Sequence, residues 1–89
     1  MIKMYQNLHK VFEYIRDCAT QQAYDDVLSQ RNNQTYKTEY KTLAKGAVAA
    51  LVHLKLITDN DVIMILNEFD RVREKEQKRY GEWCEKYAR

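Results

Sequence analysis

The sequence predicts an all-α protein, a three-helix antiparallel bundle with long first and third helices, and three observations point there. Proline is absent and only two glycines occur, Gly46 and Gly81, whereas a sheet protein of this length needs several tight turns that those residues normally supply. Apolar residues recur at alternating spacings of three and four along most of the chain, the repeat of a helix with one buried face. Two short polar breaks interrupt that repeat, so three helices account for the 89 residues as one domain, 1–89.

The first helix is expected over residues 2–30. Met1, Met4, Tyr5, Leu8, Val11, Phe12, Ile15, Cys18 and Ala19 fall on one face. The stripe continues through Ala23, Val27 and Leu28, with a bend at Asp25–Asp26 left open. Such a helix spans roughly 40 Å at 1.5 Å per residue. The break Arg31-Asn32-Asn33-Gln34-Thr35 is polar throughout, and its asparagines tolerate left-handed backbone.

Thr35 is the predicted N-cap of a second helix over residues 36–56, with Tyr36, Tyr40, Leu43, Ala47, Ala50 or Leu51, and Leu54 on its face. The stretch from Gly46 to Val52 is apolar on nearly every side. It therefore predicts the most buried helix, with small residues that admit close neighbours. Glycine inside a helix costs about 1 kcal/mol relative to alanine, so a packing reason or a kink is expected at Gly46.

The sharpest signal is Ile57-Thr58-Asp59-Asn60-Asp61-Val62. Thr58 reads as an N-cap, Asp59 and Asp61 face the positive end of the helix dipole, and Ile57 and Val62 occupy hydrophobic-staple positions. Asp61 stands where a capping box usually has Glu or Gln. The third helix, over residues 59–87, carries Val62, Ile65, Leu66, Phe69 and Val72 as its core stripe. The run Val62 to Leu66 is assigned to the core, which argues against a DNA-reading recognition helix. A charged run from Arg73 to Arg79 follows, with Glu74 and Lys78 spaced to pair. Tyr80, Trp83 and Tyr87 then return on one face.

Apolar residues make up 45% of the chain and charged residues 31%, an ordinary globular balance and not that of a disordered chain. Fifteen Lys and Arg against thirteen Asp and Glu leave a net charge of +2, which singles out neither nucleic acid nor membrane as a partner. Cys18 and Cys84 fit no CxxC or zinc spacing and read as free, partly buried thiols of a reducing cytoplasm. No apolar run of about 20 residues and no signal-peptide core is present, so neither a membrane span nor secretion is expected.

Catalysis needs a nucleophile, base or metal held in a pocket. His9 borders the apolar face of the first helix and His53 lies between Val52 and Leu54. No HExxH, carboxylate–histidine pair at ligand spacing, glycine-rich phosphate loop or Gly-x-Ser-x-Gly elbow is read in the sequence. Cys18, Cys84 and the two histidines do not recur at an i,i+4 ligand spacing. The expectation is a non-enzyme with no metal and no cofactor.

Two binding readings remain. Tyr80, Trp83 and Tyr87 form an aromatic strip of the kind enriched at protein interfaces, in a chain with seven tyrosines. They serve either a partner, foreign or a second copy, or the protein's own first helix beside Tyr24, Val27 and Leu28. The alternative is a small nucleic-acid-binding regulator. Arg31 and a basic stripe of Lys37, Lys41 and Lys45 would meet phosphate. A second cluster, Arg71, Arg73, Lys75, Lys78 and Arg79, is interleaved with Glu74, Glu76, Glu82 and Glu85.

The residues Leu51-Val-His-Leu-Lys-Leu-Ile-Thr-Asp-Asn-Asp-Val62, followed by Leu66, Phe69 and Arg71, resemble the helical hairpin of SHOCT modules and of small accessory proteins from Gram-positive phages and mobile elements. The likeness covers about twenty residues, and it departs from the usual pattern at Lys55, where a glycine commonly closes the first helix. It implies a helical fold and a mobile-element origin. Action on a host protein, with an inhibitor of the anti-CRISPR type as one form, is what that origin implies for function.

Overall fold

The computed structural model describes residues 2–36 and 38–87, with side chains from residue 8 onward. Met1, the side chains of Met4 and Tyr5, and Lys37 lie outside the described residues. Three helices and no strand are found among those described: α1 (Ile2–Asn32), α2 (Tyr40–His53) and α3 (Asp59–Tyr87). The molecule measures 49 × 23 × 20 Å, and α1, with 31 residues, accounts for its length. α1 continues without interruption through Asp25 and Asp26.

Contacts give the order in space. Phe12 and Ile15 of α1 line a groove with Ile65 and Phe69 of α3, and Asp26 reaches Arg73 and Gln77, so these two helices advance together. The start of α2 meets the later part of α1 through Gln22 and the middle of α3 through Asp70, while its end, Val52 and His53, faces Asp59 and Val62. The buried cluster is Ile15, Cys18, Ala19, Ala44, Val48 and Phe69, flanked by Val11, Phe12, Tyr40, Ala47, Ile57, Val62, Ile65, Leu66 and Val72.

Helix ends follow from local chemistry. Asn33 adopts φ 53° after α1, the left-handed geometry its side chain tolerates, and the Gln34 N–H donates to the Ser29 carbonyl at 3.3 Å. Thr58 and Asp61 complete a reciprocal capping box: the Thr58 N–H donates to Asp61 Oδ2 at 2.9 Å and the Asp61 N–H to Thr58 Oγ1 at 3.2 Å. The shorter Asp side chain serves where Glu is usual. These bonds, the backbone one foremost, hold the Asp61 carboxyl below its ordinary range.

α2 departs from expectation at both ends. It begins at Tyr40, with Glu39 and not Thr35 at the N-cap and no side-chain cap bond from Glu39. Gln22 of α1 substitutes, its Oε1 accepting from the Tyr40 and Lys41 N–H groups at 3.0 and 3.4 Å. It also ends at His53, with Leu54 as C-cap. Lys55 takes φ 60°, and the bonds Lys55 N–H to Val52 and Leu56 N–H to Leu51, both 2.9 Å, form a Schellman closure. Lysine here occupies the conformation that glycine adopts without steric cost.

The buried face of α2 is Ala44, Val48 and Leu51, with Tyr40 and Ala47 partly covered. Leu43 and Leu54 are exposed instead, as is Tyr36, which precedes the helix. The helix is not buried on every side. It lies against the bundle on one side, and Gly46, Ala49 and Ala50 face solvent, small side chains that cost little to expose. A Cβ on Gly46 would meet nothing within 4 Å, so packing does not explain that glycine. The assignment of the whole Val62–Leu66 run to the core also needs correction. Val62, Ile65 and Leu66 pack inward, but Ile63 and Met64 are 59% and 69% exposed, since five consecutive helical residues sweep all sides.

Candidate functional site

The aromatic residues of α3 form a continuous ladder rooted on α1. Tyr80 meets Tyr24 with ring centroids 4.6 Å apart, Trp83 stacks on Tyr80 at 5.9 Å and 9°, and Tyr87 follows at 5.7 Å. All three separations lie in the range of favourable aromatic pairs. Spacings of three and four residues bring these rings to one side of the helix.

The ladder divides in two. Its root is fixed: Arg79 donates to the Tyr24 hydroxyl at 2.9 Å and to Glu76 at 2.7 Å. Tyr80 is partly covered, and burial, with a hydrogen bond involving Cys84, pushes its phenol up. Its outer rungs stand free of the bundle, Trp83 at 49% and Tyr87 at 64% exposure. The Lys86 ammonium lies 5.4 Å from the Tyr87 ring centroid, within cation–π range. The structure thus brings Tyr80, Trp83 and Tyr87 together, places Tyr80 on the first helix beside Tyr24, and leaves the other two in solvent.

Beneath the root lies a polar junction that the sequence pattern did not reveal. Asp26 accepts hydrogen bonds from Arg73 Nε and Gln77 Nε2, each at 2.6 Å, and from Gln22 Nε2 at 3.2 Å. Burial alone would raise this carboxyl, but those bonds outweigh it and hold it below the ordinary range. Arg73 is raised in turn, chiefly by its bond to Asp26. Asp26, Arg73 and Gln77 sit at no recognisable motif; an acid on one helix facing a cation on another leaves no trace in local spacing.

Of the basic stripe, Lys41 and Lys45 lie four residues apart on α2. α2 starts at Tyr40, Lys37 is outside the described residues, and Lys41 is tied to Asp70 at 3.0 Å. Lys45 is exposed on α2, and Arg31 lies in the last turn of α1. In the second cluster, Arg71, Arg73 and Arg79 pair with Glu68, Asp26 and Glu76. The Glu74–Lys78 pair does not form; the i,i+3 partners Glu68–Arg71 and Glu76–Arg79 do instead.

Histidine and cysteine chemistry is sparse. His9 and Glu13, four residues apart, come within 3.0 Å on an exposed face, which corrects the expectation that no carboxylate–histidine pair stands at such a spacing. Cys18 and Cys84 are free and buried; burial raises the Cys18 thiol, against a hydrogen bond with Tyr14 that lowers it. Among the described residues no group of three or more His, Cys, Asp and Glu side chains could hold a metal ion, and no helix is long and apolar enough to cross a membrane.

Besides the groove shared with the end of α2, two more flank α3. One of about 670 Å³ near the ladder is polar, with Asp26, Gln30, Glu74, Gln77, Lys78 and Glu85 among its lining. The other, about 350 Å³, lies near the start of α3 between Phe12, Ile15 and Arg16 on one side and Met64, Ile65, Glu68 and Phe69 on the other. Nothing in the pattern of α1 or α3 alone marks this second groove, because its two walls come from different helices.

No family model matches the chain, no curated protein matches its sequence, and no solved structure matches its fold.

Proposed function

We propose that this chain is a non-enzymatic protein that works by binding another protein, with Trp83 and Tyr87 as the contact surface and Tyr24 and Tyr80 as its mount. One observation carries the reading: a single aromatic ladder is anchored at one end and 49% and 64% exposed at the other. Large aromatics are enriched at the centres of interfaces because they bury much area and lose little side-chain freedom. A rigid, pre-stacked ladder lowers the ordering cost of binding further.

The scaffold under this surface is the three-helix bundle in which α2 runs against both α1 and α3. The site of action in this reading is a reducing cytoplasm, which suits two free, buried thiols. The resemblance of the α2–α3 hairpin to mobile-element accessory proteins makes a host protein the natural target, with inhibition of a defence protein as one form. The nucleic-acid reading is the weaker of the two. Lys41 is already ion-paired, and carboxylates interleave with the cations of α3, whereas phosphate binding needs cationic rows.

The test compares capture from host lysate by wild-type protein and by a Trp83→Ala/Tyr87→Ala variant of unchanged helicity. A protein held by the wild type and lost from the variant is the expected result. Identical capture by both would sink the reading. For the nucleic-acid alternative, anisotropy of a labelled oligonucleotide at rising salt is the check, and binding absent at low salt ends it.

A further inference from the structure

We propose that Asp26 is a latch for α2: its carboxylate fixes which end of the Gln22 amide faces the start of α2, and so couples the docking of that helix to the seam between α1 and α3. Gln22 stands between two partners of opposite hydrogen-bonding character. On one side its Nε2 donates to Asp26 Oδ1 at 3.2 Å. On the other its Oε1 accepts from the Tyr40 and Lys41 N–H groups at 3.0 and 3.4 Å. A carboxylate can only accept and a backbone N–H can only donate, so one orientation of the amide serves both and the reverse serves neither. The second Asp26 oxygen, Oδ2, takes Arg73 Nε and Gln77 Nε2 of α3, each at 2.6 Å. One carboxylate thus reaches all three helices, α3 directly and α2 through Gln22.

The carboxylate decides the orientation because a neutral carboxamide of the same shape cannot accept on both sides. After Asp26→Asn, the oxygen of that carboxamide stays with Arg73 and Gln77, two donors of which one is cationic and therefore the stronger claimant. Its NH2 group then meets Gln22. The Gln22 amide turns over to accept from it and presents its own NH2 to Tyr40 and Lys41, where donor faces donor. Glu39, the N-cap, makes no side-chain cap bond, so within the protein these two amides depend on the Gln22 oxygen. Exchanging the two chemistries, Asp26→Asn together with Gln22→Glu, reverses donor and acceptor within the pair. It returns an oxygen to the start of α2 and leaves the net charge unchanged.

The test is amide hydrogen exchange of the full chain, with Tyr40 and Lys41 read against residues 64–72 of the same sample, so that a change in global stability is seen separately. Asp26→Asn is expected to lower the relative protection of Tyr40 about tenfold. Gln22→Met removes the oxygen outright and gives a similar loss, and adding Asp26→Asn to it lowers the ratio no further, because the latch acts through Gln22. The double exchange, Asp26→Asn with Gln22→Glu, brings the ratio back to within about threefold of wild type. Asp25→Asn removes the adjacent charge and leaves the ratio unchanged. A Tyr40 amide unprotected in the wild type, a ratio untouched by Asp26→Asn, a loss that the double exchange does not reverse, or an equal loss from Asp25→Asn would each overturn the proposal.

Discussion

The half of the molecule around Phe69 is built from three helices, and the half around Cys84 from two. Around Phe69, α2 closes the angle between its neighbours, and six residues, Ile15, Cys18, Ala19, Ala44, Val48 and Phe69, become a shared buried cluster. Past the start of α2, α1 and α3 continue alone. They bury small or slender side chains there, Ala23, Val27 and Cys84, and add the Asp26 junction and the Tyr24–Tyr80 contact. Two cylinders touch along a line and cannot enclose a core. Their contact therefore relies on close approach, polar bonds and rings lying flat on the seam. The large side chains that a third helix would have covered, Trp83 and Tyr87, remain in solvent. One half supplies most of the hydrophobic stability and the other supplies the surface.

Removing the centre of the first half is the severest way to test this division. Phe69→Ala, at a position 1% exposed, is expected to cost about 3–5 kcal/mol in urea unfolding, enough to unfold much of a domain this small. A cost below about 1 kcal/mol would mean that the core lies elsewhere.

The polar junction comes next. Asp26 and Arg73 side chains are 25% and 30% exposed, covered enough to matter, and Asp26→Asn is expected to cost about 2 kcal/mol. The same carboxylate makes the fold acid-sensitive. Because Asp26 is held below its ordinary range, the unfolded chain takes up its proton first as pH falls below about 4. Stability is present above that point and lost as pH drops through the folded-state value. Asp61 and Glu68, also lowered by hydrogen bonds, act in the same direction. Asp25, raised by burial and by Asp26, acts oppositely. Asp26→Asn should flatten the acid limb of a stability-versus-pH curve, and an unchanged limb would assign it to other groups.

Hydrogen exchange sharpens the comparison without any substitution. Amides of residues 64–72 are expected to exchange only with global unfolding, while those of 80–87 open locally and sooner. Equal protection would show that the two halves unfold as one.

The mildest changes concern single backbone positions. Gly46 and Gly81 are helical, and a Cβ on either would meet nothing within 4 Å, so alanine at each should raise stability by about 1 kcal/mol. Lys55→Gly relieves a left-handed residue at φ 60° and should add up to about 1 kcal/mol. Thermal melts of the three variants would check both statements.

Helix number and the α3 cap are legible in the sequence because they rest on local signals: the absence of proline, the three-and-four repeat, and Thr58 three residues before Asp61. The start of α2 is not, because its first N–H groups are satisfied from Gln22, eighteen residues back. Thr35 offers local capping chemistry and is passed over. The rotation of α2 is likewise set by which neighbours it has, so Leu43 and Leu54 share the pattern of a buried face yet lie outside it. Of the candidate surface, Tyr80, Trp83 and Tyr87 could be read as one strip from spacing alone. Which rings anchor and which protrude depends on where α2 stops covering α3, and only the assembled fold decides that.

Gln22 ties the birth of one helix to the arrival of another. With 14 residues, α2 is near the length at which an isolated helix is marginal in water, and its first two amides are completed by a carbonyl oxygen on α1. The segment therefore gains its full helical register when it docks, so its secondary structure reports on assembly and does not precede it.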